Sequence, residues 1–191
     1  MVILLIGLGL FLGVHSIRVF AEDSRTAFIT KYGQGVYKSL YTLLALAGFG
    51  LIIWGYSLSR VSTPELWWPA VWLRHMAALL MVFSMVFLVS AYVPGNRIKA
   101  AVGHPMLISV KIWSIAHLLT NGRLADMLLF GTFLVWAVLA FRAARQRDRL
   151  ANLRYPIKGW PVDTLTVLLG LSLWGIFAFY LHAWLIGVRP F

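Results

Sequence analysis

Apolar residues in this chain fall into long runs separated by short polar connectors. A helix needs about 20 such residues to cross a bilayer. The runs are Val2 to Phe20, Leu40 to Leu58, Val71 to Val93, Met106 to Thr120, Leu124 to Phe141 and Val162 to Val188. The pattern predicts an all-α polytopic membrane helical bundle of about six transmembrane helices, forming one domain over residues 1–191. The fourth run is short for a spanning element, which local thinning or burial among longer neighbours would accommodate. Pro105 fits its first helical position, and Asn121-Gly122 reads as its stop, because both residues tolerate the left-handed conformation.

The connectors carry their own signals. Gly9 and Gly13 make a G-x-x-x-G step that would let another helix approach closely. Gly48, Gly50 and Gly55 in the second run, with Gly170 and Gly175 in the sixth, read the same way. Between Ala21 and Ser39, Asp23 or Ser24 is placed to cap a short helix, and Lys31 to Gly35 reads as a turn. The charges there, including Glu22, Arg25 and Lys38, read as a solvated face. Trp67, Trp68 and Trp72 match the aromatic belt of a membrane interface. Arg142, Arg145, Arg147, Arg149, Arg154 and Lys158 crowd into what reads as one basic linker.

The fourth run is the anomaly. It carries Lys111, Ser114 and His117, with His104 and Asn121 at its ends. At about 100° per residue, Lys111, Ser114, His117 and Asn121 fall within roughly a third of the helix circumference. Ionisable groups at membrane depth cost several kcal/mol and seldom persist without a partner or a task. The stripe therefore marks a functional candidate, with helix–helix hydrogen bonding as the simpler alternative.

Composition sharpens this picture. The chain is 61% hydrophobic and only 12% charged, with a mean hydropathy of +0.82, far from the balance of a soluble domain. Its net charge of +11 sits between the apolar runs rather than along one face, which argues against a nucleic-acid partner. Twelve basic residues follow runs one, three and five, against four on the other side, Arg60, Arg74, Arg123 and Arg189. The positive-inside rule then predicts an inner-membrane protein with both termini periplasmic. The first run lacks the basic start and cleavage site of a signal peptide and reads as a retained helix.

With no cysteine, and with its six carboxylates at or beyond the ends of the runs, the plausible chemistry rests on histidine. Neutral imidazole is the commonest metal ligand and a common axial ligand of haem. His15 and His117 lie in runs one and four, which cross in opposite directions. Each histidine lies about four residues past its run's midpoint, so their backbones are expected on the order of 12 Å apart along the membrane normal. Depth alone pairs His15 with His104, or His117 with His75 or His182.

His104-Pro105 followed by Lys111, Trp113, His117 and Asn121-Gly122 resembles the signature of the NnrU-type membrane proteins. His15-Ser16 at the end of the first run and Gly35-x-Tyr37-Lys38 extend the resemblance over most of the chain. That family is associated with nitrite and nitric-oxide metabolism in denitrifying bacteria, and is similar to the plant zeta-carotene isomerase, a membrane protein that uses haem b. The resemblance implies haem b with His15 and His117 as ligand candidates. Lys111 and Asn121 read as groups that support the ligands or face the propionates, and His104 reads equally as helix-start structure or as a ligand. Its possible roles include a haem-dependent cis-polyene isomerase acting on a small apolar substrate. Ser114 stands where the isomerase has a cysteine, and Gly103 where it has an arginine, so the cofactor is shared more readily than the reaction. Two other classes compete. One is a non-catalytic assembly or signalling partner of respiratory membrane enzymes. The other is an S-adenosylmethionine-dependent membrane methyltransferase, which His104-Pro105 also resembles, although the preceding arginine and a later paired-glutamate motif are missing.

Overall fold

The computed structural model describes residues 1–190, all of whose regular elements are helices. In order these are α1 (Val2–Phe20), α2 (Glu22–Tyr32), α3 (Gln34–Ser62), α4 (Leu73–Tyr92), α5 (Arg97–Val102), α6 (Pro105–Thr120), α7 (Leu124–Leu150) and α8 (Trp160–Ile186). A π-helical stretch, Phe177–Leu181, interrupts α8. Helices α1, α3, α4, α7 and α8 are long and apolar enough to cross a membrane, while α6 is apolar but shorter. Large apolar side chains along these helices are exposed, including Leu43, Leu46, Ile53 and Phe179. In a chain surrounded by water they would be a severe liability; in lipid they face their natural solvent. Trp68 and Trp72, beside the start of α4, and Trp160 and Trp184, toward the two ends of α8, are also exposed, as an aromatic belt requires. The fold is all-α and polytopic.

The chain divides into two compact units. The first holds Met1–Trp67 and Gly122–Ala140; the second holds Trp68–Asn121 and Phe141–Phe191. Within the first, α1 and α3 pack along their length through glycines. A Cβ at Gly7 would stand 2.6 Å from the Ile52 nitrogen, one at Gly48 2.7 Å from the Phe11 nitrogen, and one at Gly55 2.6 Å from Leu4 Cα. Gly9, Gly13 and Gly50 face open space. The close approach therefore uses a different set from the G-x-x-x-G step that spacing alone picks out. At the far end of α3, residues 63–66 are clasped to the start of α7: Leu66 N–H donates to Gly122 O (2.7 Å) and Leu124 N–H to Pro64 O (3.1 Å).

Within the second unit, α4 packs on α6 and on α8. Ser84 of α4 hydrogen-bonds to the carbonyl and hydroxyl of Ser109 on α6, both at 3.0 Å. A Cβ at Gly170 of α8 would lie 2.7 Å from Val86 Cα. Asn96 caps α5 by accepting from the Lys99 N–H at 2.7 Å.

Several expectations change. Neither Asp23 nor Ser24 caps α2, because the helix begins earlier, at Glu22, without a side-chain cap. Asn121 ends α6 in an extended conformation (φ −128°, ψ 124°), not a left-handed one. Gly122 is needed for room, since any Cβ there would collide with the Trp67 carbonyl oxygen. The basic stretch from Arg142 to Arg149 is helix rather than linker, because α7 runs to Leu150. Nothing in Phe141-Arg-Ala-Ala-Arg-Gln-Arg breaks a helix, so propensity carries it on after hydropathy has fallen.

Candidate functional site

His15 sits five residues before the end of α1 and is half-buried. Its Nδ1 lies 2.6 Å from the Phe11 carbonyl oxygen, one turn back. A carbonyl can only accept, so Nδ1 carries the hydrogen, and in the neutral ring Nε2 carries the lone pair. Aromatic rings surround the imidazole: Phe11 at 4.2 Å, Tyr41 at 5.2 Å and Trp136 edge-on at 6.0 Å between centroids. The indole Nε1 of Trp136 is buried and has no hydrogen-bond acceptor among the described residues. Beside His15 opens a cavity of about 380 Å³ whose lining includes Arg18, Arg25, Lys38, Tyr37 and Tyr41. The cations read as a solvated face thus converge on a histidine.

His117 repeats the local arrangement on α6. Its Nδ1 lies 2.9 Å from the Trp113 carbonyl oxygen, again four residues back, so the same tautomer follows. Trp113 flanks the ring at 5.2 Å. Ser114, one turn before His117, is fully buried, and its hydroxyl has no hydrogen-bond partner among the described residues. The rest of the stripe is spent locally. Asn121 donates to the His117 carbonyl oxygen at 2.8 Å, closing the helix end. Lys111 places its ammonium 3.9 Å from the centroid of Phe141, a cation–π contact.

His104 has a companion that the position of carboxylates along the sequence excluded. Its Nε2 lies 3.0 Å from Asp148 Oδ2, at ion-pair distance but without the alignment of a hydrogen bond. Tyr155 donates to the same oxygen at 3.0 Å. Burial, and then that hydrogen bond, raise the Tyr155 hydroxyl above its ordinary pKa of 10.0. Gly103 (φ +76°) leaves room for Arg145, whose Nη1 would lie 2.7 Å from a Cβ there. Asp148 reaches His104, and Arg145 reaches Gly103, only because α7 stays helical past Phe141. Asp126 is a second buried carboxylate, accepting from the Tyr56 hydroxyl at 2.6 Å and from the Arg123 N–H at 3.1 Å.

His15 belongs to the first unit, and His104, Lys111, His117 and Asn121 to the second. His75 is exposed on the first turn of α4. His182 points Nδ1 at the Val188 carbonyl oxygen at 2.7 Å. Spacing could not reveal Asp148, Tyr155, Arg25 or Lys38, because each comes from a helix or connector other than that of its histidine, whereas Arg18 lies one turn after His15 on α1.

The helices define a polytopic α-helical membrane protein with histidines set into two of its apolar helices. The sequence profile described as NnrU protein matches residues 3–190. The chain belongs to the NnrU family. No curated protein and no solved structure matches it.

Proposed function

We propose that this NnrU-type protein binds haem b, with His15 and His117 each able to offer an imidazole nitrogen to the iron. The observation that carries the reading is their shared tautomer: each ring donates from Nδ1 to the carbonyl one turn back, which leaves the lone pair on Nε2. Metal-binding histidines are held this way, the second nitrogen fixing ring orientation. The buried Trp136 N–H beside His15 and the buried Ser114 hydroxyl beside His117 lack partners, and both fit a neighbour not yet accounted for. Haem would supply a redox-active iron. The chain's own residues orient the imidazoles and wall them with apolar and aromatic side chains. Ser114 offers a hydroxyl where the isomerase has a cysteine, which removes a thiolate ligand but keeps cofactor binding, in a protein serving nitrite and nitric-oxide metabolism. The twelve-to-four charge asymmetry supports a bacterial inner-membrane location with periplasmic termini.

The test is the absorption spectrum of full-length protein purified in detergent from haem-replete cells. A Soret band present in the wild type and lost or shifted in both His15→Ala and His117→Ala supports the assignment. Sub-stoichiometric haem in well-folded wild type overturns it. The non-catalytic reading has one observation in its favour, the Ser84–Ser109 bond, which uses α6 polarity for helix association alone.

A further inference from the structure

We propose that the cavity beside His15 binds the anionic head of a membrane-borne amphiphile, a phosphate or carboxylate carried on an apolar body. Three cationic side chains, Arg18, Arg25 and Lys38, line it. Glu22 meets two of them: its Oε1 lies 2.8 Å from Arg25 Nη1, and its Oε2 lies 3.7 Å from Arg18 Nε. Arg25 is also held against Tyr37, 5.3 Å from the ring centroid, which fixes its guanidinium in the lining. Positive charge at the end of a span is ordinary, since topology alone selects for it. Convergence of three cations from α1, α2 and α3 on one cavity is a separate fact, and topology does not require it.

The depth of the cavity selects the class of ligand. Its polar rim comes from Arg25 on α2 and from Gln34 and Lys38 in the first turns of α3. Its inner wall comes from Val14, His15 and Tyr41. His15 lies about 7–8 Å along α1 from the helix end at Phe20. A bare anion would be met at the rim and gain nothing from the inner wall. A molecule with an ionised head and an apolar body would use both. A phospholipid phosphate and a porphyrin propionate share this chemistry. The inference therefore extends past haem binding and does not require it.

The experiment compares wild type with R25Q/K38Q, both full-length in a zwitterionic detergent, in two arms. One arm measures thermal stabilisation by short-chain phosphatidylglycerol against phosphatidylcholine. The other follows absorbance titrations with haem b and with its dimethyl ester, which lacks the free carboxylates. In at least one arm the wild type is expected to prefer the anionic ligand about tenfold, and R25Q/K38Q to lose that preference. The arm that responds identifies the source of the anion. Lys38→Glu is a second variant that guards against misfolding, because Lys38 is exposed; it should weaken the preference at least threefold. Equal binding of charged and uncharged ligands by the wild type in both arms overturns the proposal, as does a preference that survives both variants. If no Soret shift appears with either porphyrin, the haem reading falls and the lipid arm alone decides this one.

Discussion

The α1–α3 pair and the α4–α6 pair solve the same problem with different chemistry. In lipid the hydrophobic effect does not drive helices together, so packing and hydrogen bonds must. The first pair relies on space: Gly7, Gly48 and Gly55 remove side chains and let two backbones touch. The second relies on polarity, with Ser84 and Ser109 bonded across the interface. At the foot of α6, His104, Asp148 and Tyr155 add a polar cluster. A packed interface tolerates no added atom at its contact points, whereas a bonded one tolerates loss of a single bond. The two histidines, alike in local geometry, therefore sit in regions with different sensitivity to change.

The sharpest way to break the contrast is a matched pair of methyl additions on the first pair. Gly55→Ala is expected to cost about 2–3 kcal/mol, because the new Cβ meets Leu4 and Ile3 backbone that cannot swing aside. Gly9→Ala should lie within about 0.5 kcal/mol of wild type, since it faces open space. Denaturant titration of helix content in detergent measures both, and equal costs would erase the distinction. An intermediate effect is expected at the foot of α6. Tyr155→Phe should cost about 1 kcal/mol at pH 8 by removing one hydrogen bond. The folded pKa of Tyr155 is raised, so its contribution is whole below pH 10.0 and declines as pH rises further, when the unfolded chain releases the proton first. The gap between wild type and variant should narrow above that pH. Smallest of all, Ser84→Ala should cost about 0.6 kcal/mol, a typical value for a hydrogen bond between membrane helices. A loss as large as that of Gly55→Ala would show that the second pair is packed as tightly as the first.

Much of the fold was legible in the chain because lipid imposes a length and a composition on every crossing. Val2–Phe20 coincides with α1, and Pro105 opens α6 as its missing N–H allows. Hydropathy failed where it stops being the signal. The end of α7 is polar yet helical, and only helix propensity carries it to Leu150. Glycine spacing named Gly9 and Gly13, but which face of α1 meets a neighbour is decided by the partner's own glycines at 48 and 55. Among candidate site residues, the histidines announced themselves as polar atoms in apolar runs. Their surroundings did not: Arg25 and Lys38 look like ordinary connector charges, and Asp148 lies within what reads as a basic linker.

The clasp between residues 63–66 and Gly122–Leu124 has a topological consequence. Two antiparallel hydrogen bonds, an ion pair between Arg123 and Glu65 at 3.4 Å, and a glycine that alone fits beneath the Trp67 carbonyl close the intervening chain into a ring. Once that knot forms, everything between Trp67 and Asn121 leaves and returns through one point, and the ends of α3 and α7 are no longer free to diffuse apart. Closing so long a loop carries a chain-entropy cost that grows only slowly with its length. The ring could thus have gained or lost residues over evolutionary time at little expense, so long as the few atoms that tie it remained.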